Sequence, residues 1–350
     1  MGASQQSRVR RPSGPAPIKG PEAHSEEWNS LRFFNQNRSP RPVIIGASRS
    51  AMACGVDPHC STLQGYMEAR GELPPFEPSE EQKERMSNGL EIEPYVLRLY
   101  SKKMKCQVEP NSTMYFHPNH WWMGATQDGR GYRTEPEPEE WTVESKNAGY
   151  RMFDKTGTDD SKYGEDGTDQ VPLTVLYQCQ HQMAVMGTER ADVPVFTDNR
   201  LRIYTVPRSD ELIATIIEAE KELAERIVNG DPPPPDYTHA GTRKLLTSMY
   251  GCVVGSKIEL GLDLKNAWLE REEISLQLKA LEDRKDEITN ALLDAIGMHE
   301  LATFSESDIR VNRITVKDSL VTQKQVDELA ARIGQVGRKG SVRLLRVKGK

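Results

Sequence analysis

Trp141-Thr142-Val143-Glu144-Ser145-Lys146, preceded by Gly124-Ala125-Thr126-Gln127-Asp128-Gly129, is the stretch that decides how this chain folds. Apolar and polar residues alternate through residues 141–146, the period of a strand with one buried face. Successive side chains of a strand point to opposite faces, so the pattern predicts Glu144 and Lys146 on one side and Ser145 on the other. Carboxylates from two adjacent strands, Asp128 and Glu144, can share a divalent cation, and the Ser145 carbonyl can complete its near side. A lysine beside them, Lys146, can hold or deprotonate an attacking water, which together suits phosphodiester hydrolysis. Glu-x-Lys alone is weaker evidence, because alternating charge is ordinary on a solvated strand.

Outward from this stretch the periodicity changes character. Upstream, Glu27 to Phe34, Thr62 to Arg70 and Glu80 to Lys103 read as helices, the last with Leu90, Tyr95, Leu97 and Tyr100 inward. Ser48, in the Ile45-Gly46-Ala47-Ser48 turn, is placed to cap a short helix. Residues 105–110, 113–117 and 121–128 read as strands. Downstream, residues 154–170 form a long polar loop, either disordered or a functional flap. Then follow a helix at 173–187, paired strands at 191–196 and 200–206, and an amphipathic helix at 210–228. The alternation predicts an α/β sandwich of about 200 residues.

Three regions are expected. Residues 1–25, rich in Pro, Gly, Ser and Arg, read as a disordered basic tail. Residues 26–235 form the α/β body, closed by the stiff Asp231-Pro232-Pro233-Pro234-Pro235-Asp236 spacer. Residues 236–350 form an accessory region: a coiled-coil helix at 265–296 and a basic α+β tail at 300–350, with strands at 308–317 and 341–347 around a helix at 322–333. The heptad seam carries Ala267, Ile274, Leu281, Ile288 and Ala295 at one position. Leu278 and Leu292 stand at the other, which Arg271 and Lys285 interrupt, so the helix needs a partner.

Composition limits the function classes. The chain has 350 residues, 36% of them apolar, and no run of 18 apolar residues that could span a membrane. Its beginning lacks an apolar stretch for a signal peptide, and Gln6 stands where a myristoylation motif has Ser or Thr, so a cytoplasmic protein is expected. Five cysteines without a Cys-x-x-Cys argue against a disulfide framework or a thiolate metal centre. His117 and His120 could pair as ligands, but no second pair has ligand spacing. The net charge is −6, yet eleven of the 46 basic residues lie without any acid in residues 1–20 and 331–350. The middle therefore stands at −17, and any grip on a nucleic acid has to come from a local groove or from the basic ends.

The order of these motifs, with Asn88-Gly89-Leu90-Glu91-Ile92-Glu93-Pro94 upstream and Tyr177-Gln178-Cys179-Gln180-His181-Gln182 downstream, resembles the YqaJ-type viral recombinase, or lambda exonuclease, family of the PD-(D/E)XK nuclease superfamily. The resemblance runs from about Trp28 to Pro235. It implies a restriction-endonuclease-like α/β fold and a DNA exonuclease that uses two Mg²⁺ per site, with Mn²⁺ as a substitute. It further implies 5′ to 3′ digestion of one strand from a duplex end, ring-shaped homo-oligomers, and delivery of 3′ overhangs to a single-strand annealing protein.

Residue by residue, the resemblance makes Asp128 and Glu144 metal-binding carboxylates, Lys146 the residue that positions water, and Glu93 a further contributor to the metal site. It places Gln178 and Gln180 along the site. Ser48 and an arginine would hold the 5′-phosphate; Arg32 has the family's spacing from Trp28, and Arg41 has its distance to Ser48. Two departures stand out. Gln127 replaces the usual proline before the aspartate, which should loosen the turn, and Ser145 replaces an apolar residue, which should leave the far side of the strand less buried. A same-fold nuclease of other polarity or substrate, such as a RecB-like repair or single-strand nuclease, and a non-catalytic module that binds DNA ends or an annealing partner are the alternatives.

Overall fold

The computed structural model describes residues 16–73, 78–153, 159, 161–251, 253, 255–305 and 309–312. The chain forms two compact units, the first ending at Gly251.

The strands of the first unit are β1 (Ile18–Glu22), β2 (Ile45–Gly46), β3 (Gln107–Pro110), β4 (Thr113–Phe116), β5 (Met123–Ala125), β6 (Gly129–Arg133), β7 (Glu139–Val143), β8 (Lys146–Asn147), β9 (Arg190–Thr197) and β10 (Arg200–Pro207). Its helices are α1 (Glu26–Leu31), α2 (Ser50–Ala53), α3 (Thr62–Arg70), α4 (Glu80–Met104), α5 (Leu173–Met186), α6 (Asp210–Asn229) and α7 (Thr242–Met249). A small sheet orders β1-β4-β5-β2, and the large mixed sheet orders β10-β9-β7-β6-β3, with β8 also paired to β9. β9 runs parallel to β7 and β8, whereas the pairings β9–β10, β6–β7 and β3–β6 are antiparallel.

Strand alternation gives the large sheet two different faces. Tyr204, Val206, Val193 and Val195 pack with Val175, Cys179 and Met183 of α5. On the other face, Trp141, Val143 and Ile203 pack with Leu97 and Tyr100 of α4. β7 therefore sends Trp141 and Val143 toward α4, while Thr142 turns the opposite way and meets Thr188 at 3.0 Å. Gly131 on β6 is fixed by this packing, since a Cβ there would lie 2.3 Å from the Trp141 indole nitrogen. Its two glycines and polar residues conceal β6 from a periodicity reading, which sees no strand at 129–133.

The α4 face carries a buried polar chain. Trp141 Nε1 donates to the Tyr100 hydroxyl at 2.8 Å, which donates to Asp192 Oδ2, and Thr205 Oγ1 donates to Asp192 Oδ1 at 3.0 Å. The Arg190 guanidinium lies 4.1 Å above the Trp141 ring.

Several expectations change. Residues 18–22 are not tail: Ile18 and Lys19 pair with Phe116 and Tyr115, giving β4 an outer neighbour. The body does not stop at Pro235, because α7 returns to it. Leu245 is buried in the main core and His239 Nε2 bonds the Asp57 carbonyl at 2.8 Å, so the polyproline is a surface crossing within the unit. Leu90 and Tyr95 are exposed, because α4 packs only through its second half. Of the polar loop, 154–158 and 160 lie outside the described residues, but Tyr163 is buried and stacks on Phe153, with ring centroids 5.4 Å apart.

In the second unit, α8 (Leu262–Ile296) is 35 residues long and only Ile296 of it is buried. A two-stranded sheet, β11 (Leu301–Thr303) and β12 (Arg310–Asn312), follows it. The expected helix at 322–333 and the strand at 341–347 lie outside the described residues. Among the described residues, no helix is long and apolar enough to cross a membrane.

Tyr100→Phe should destabilise the first unit by about 1–3 kcal/mol, the cost of leaving the buried Trp141 donor and Asp192 acceptor without their shared hydroxyl. Urea unfolding of the two proteins reads this directly.

Candidate active site

β7 ends at Val143 and β8 begins at Lys146, and the break between them builds the site. Glu144, the first residue of the break, keeps its backbone in register by donating N–H to the Asp192 carbonyl at 3.0 Å. Its side chain faces α5 and is 3% exposed. Lys146 Nζ lies 2.6 Å from Glu144 Oε1 and 3.2 Å from Gln178 Oε1. Gln178 Nε2 donates to the same Glu144 Oε1 at 2.6 Å, and Gln182 Nε2 donates to Oε2 at 2.7 Å.

Ser145 corrects the strand reading. Its N–H and hydroxyl donate to Asp128 Oδ2 at 2.8 and 2.9 Å, so the side chain turns into the site and ties one carboxylate to the segment bearing the other. The strand break makes this possible, since an unbroken strand would turn Ser145 away. The turn before Asp128 is not loose either. Asn111 Nδ2 donates to the Gln127 carbonyl at 3.0 Å and Asn111 N–H to the Asp128 carbonyl at 3.0 Å, a clamp that serves where a proline is missing.

Gln180 is not at the site. Its Nε2 donates to the Pro207 carbonyl at 2.7 Å and its Oε1 accepts from Ser209 N–H at 2.9 Å, joining β10 to the start of α6. Helix geometry explains this, because residues two apart face opposite ways and residues four apart share a face. Gln182 therefore stands with Gln178, and the spacing alone could have shown it. His181, between them, is fully buried, with Nε2 3.0 Å from the Gly124 carbonyl and Nδ1 2.7 Å from Glu220 Oε1.

The residues read as a phosphate-binding set are not joined to one another by any bond among the described residues. Ser48 is exposed on a single 3₁₀ turn, Ala47–Arg49, that packs against α5. Arg32 is exposed with its guanidinium 5.0 Å from the Phe33 ring, just past the end of α1, whose Trp28 Nε1 donates to Thr126 Oγ1 at 3.1 Å, two residues before Asp128. Arg41 is half-buried with its guanidinium 4.5 Å above Phe116. Arg38, between them, fastens the intervening loop through the Phe33 and Pro42 carbonyls. His117 and His120 are turn residues: His117 Nδ1 accepts from the N–H groups of Asn119 and His120, and burial pushes its pKa down to about 4.

Electrostatics set the carboxylates against each other. Burial, and then the Glu144 charge, push the Asp128 carboxyl well above the usual range, against the pull of Lys146. Burial and Glu144 likewise raise Glu93, half-buried on α4. Burial pulls Lys146 down, but Glu144 and Asp128 outweigh it and hold the amine above the ordinary lysine value. In the absence of a cation Lys146 is therefore a charged donor at neutral pH.

The donor set fits a hard divalent cation: oxygen ligands from like-charged, partly desolvated carboxylates, whose repulsion a cation relieves. Asp128 and Glu144 would hold it, with Glu93 within their electrostatic reach. Among the described residues, no three His, Cys, Asp or Glu side chains converge closely enough to hold an ion together.

The large mixed sheet lies between α4 and α5, with Glu144 and Lys146 at the break that follows its central strand and Asp128 just before the neighbouring β6, the α/β arrangement that the sequence predicts. Residues 35–190 match the family model of the YqaJ-like viral recombinase domain. Among solved structures, the alkaline exonuclease LHK-Exo from Laribacter hongkongensis is 19% identical, over 54% of this chain and 89% of its own, with a TM-score of 0.40. LHK-Exo in complex with dAMP is 18% identical over 59% and 94%, with a TM-score of 0.40. No curated protein matches the chain.

Asp128→Asn should raise thermal stability in the absence of divalent cations while removing a ligand. Asp128's folded pKa lies above the unfolded value of about 3.9, so its protonation favours the folded state at low pH, and that contribution is lost as pH rises through the folded pKa. At pH 7 in EDTA the variant should melt higher by roughly 2–4 °C, about 1 kcal/mol. The gain should vanish as pH falls toward 4. Melting curves across pH check both signs.

Proposed function

We propose that this chain is a metal-dependent DNA exonuclease that digests one strand of a duplex from its 5′ end and leaves a 3′ overhang for a single-strand annealing protein in phage-type recombination. The observation that carries the reading is the convergence of Asp128, Glu144 and the charged Lys146 within a domain matched to viral recombinases. Two Mg²⁺ ions per site, or Mn²⁺ in their place, would supply Lewis acidity toward the scissile phosphate and lower the pKa of the attacking water.

The chain's own part is holding and charge placement. Asp128 and Glu144, joined through Ser145, would hold the cations, and Glu93 would complete the set from α4. Lys146, kept charged by the two carboxylates, directs its ammonium at an incoming water or a phosphate oxygen. Gln178 fixes that ammonium by accepting from it while donating to Glu144. Ser48 with Arg41 or Arg32 forms the 5′-phosphate contact. A ring of several copies reconciles a net charge of −6 with a grip on DNA, since a positive channel can be local. The proposed place of action is the bacterial cytoplasm, that of the host cell if the chain is phage-encoded.

The test is a 5′-phosphorylated duplex labelled at either end and digested with Mg²⁺, Mn²⁺ or EDTA. Release of the 5′ label as mononucleotide only with metal is expected; release of the 3′ label first would overturn the polarity. Asp128→Ala, Glu144→Ala and Lys146→Ala should each lower the rate by at least about 10²-fold, the loss typical of removing one preorganised charged group. Duplex binding should largely survive, as a mobility shift in Ca²⁺ would show. A fully active Lys146 variant sinks the assignment.

A further inference from the structure

The geometry points to Gln182 as the positioning residue that fixes the Glu144 carboxylate, an inference that rests on the proposed nuclease reading. Glu144 has two oxygens, and their partners are unequal. Oε1 receives both Lys146 Nζ and Gln178 Nε2 at 2.6 Å, whereas Oε2 receives Gln182 Nε2 at 2.7 Å. The terminal torsion of a glutamate is broad, so donors on Oε1 alone leave the carboxylate plane free to turn about it. The Gln182 amide stops that rotation.

The second hydrogen of the same amide reaches the Thr126 carbonyl at 3.2 Å, two residues before Asp128. One buried side chain thus connects the Glu144 carboxylate to the backbone that carries the other candidate ligand. The amide orientation is not arbitrary. Turned over, Gln182 would place its oxygen against two acceptors, Glu144 Oε2 and the Thr126 carbonyl.

A further detail separates positioning from packing. Gln182 Oε1 is buried and has no hydrogen-bond partner among the described residues. A buried polar atom left so is costly, and an apolar side chain of similar length would avoid that cost. Gln180, two residues earlier, has both ends of its amide bonded to backbone, as a purely structural glutamine should. Gln182 is retained as a donor.

The test uses the full chain and compares Gln182→Met, close in volume but without a donor, with Gln180→Ala. Mn²⁺ binding is measured by calorimetry without DNA, and kcat and KM are measured on the end-labelled duplex. Gln182→Met should weaken Mn²⁺ binding and lower kcat by about 10-fold or more each, the usual loss when a ligand's own hydrogen-bond partner is removed. KM for DNA should stay within about twofold, while the melting temperature should fall, because the buried Glu144 Oε2 and Thr126 carbonyl lose their donor. Gln180→Ala should lower the melting temperature and leave Mn²⁺ affinity alone. Wild-type Mn²⁺ affinity in Gln182→Met overturns the inference, even if kcat falls. If the Met variant does not fold, Gln182→Asn, whose shorter amide withdraws the donor, takes its place under the same criteria. A wild-type chain that binds Mn²⁺ without cutting DNA fails the nuclease reading and leaves the affinity comparison decisive for Gln182; one that does not bind Mn²⁺ overturns both.

Discussion

Glu144 is a carboxylate sealed inside the sheet, and much of the first unit can be understood as what that charge requires. An isolated ion in such a place costs several kcal/mol, so every direction from it has to offer a donor. β8 supplies the Lys146 ammonium, α5 supplies two amides one turn apart, and β9 anchors the backbone through the Asp192 carbonyl. Asp128, drawn close by Ser145, is a second negative charge on the same side. The site is thus under electrostatic tension by construction, and a cation is the group that would relax it.

The two faces of the large sheet divide the labour. Toward α5 lie the charges and amides; toward α4 lies the Trp141, Tyr100 and Asp192 chain, with Arg190 stacked above the indole. Asp192 belongs to both through different atoms, its side chain in the α4 chain and its carbonyl on the Glu144 amide. Rigidity behind the strand break is therefore set by hydrogen bonds on the face away from the Glu144 carboxylate. His181 does the same at the other end of the site, locking α5 to α6 and to β5 through Glu220 and the Gly124 carbonyl.

The alternation over residues 141–146 gave the strand, its polarity and the shared face of Glu144 and Lys146, because those depend only on a period of two. What it could not give was the interruption at Ser145, which arises from tertiary bonds to Asp128. Resemblance brought Gln180 to the site and left out Gln182; the 3.6-residue period of α5 reverses that assignment. β6 escaped notice because Gly131 answers to Trp141 across the sheet, a contact no local pattern records. The polyproline misled for a related reason: stiffness marks a linker only when nothing beyond it finds a place to pack, and Leu245 does.

That return of α7 has a practical meaning for dissecting the molecule. A protease nicking the chain beside the exposed Pro232 or Pro234, or a gene truncated after Pro235, would not release a self-sufficient folded half; it would strip Leu245 from the main core and His239 from the Asp57 carbonyl, uncovering apolar surface beneath them. The severable joint lies past Gly251. A fragment drawn there keeps α7 on its core, and its behaviour in isolation would report on the intact unit rather than on a wound.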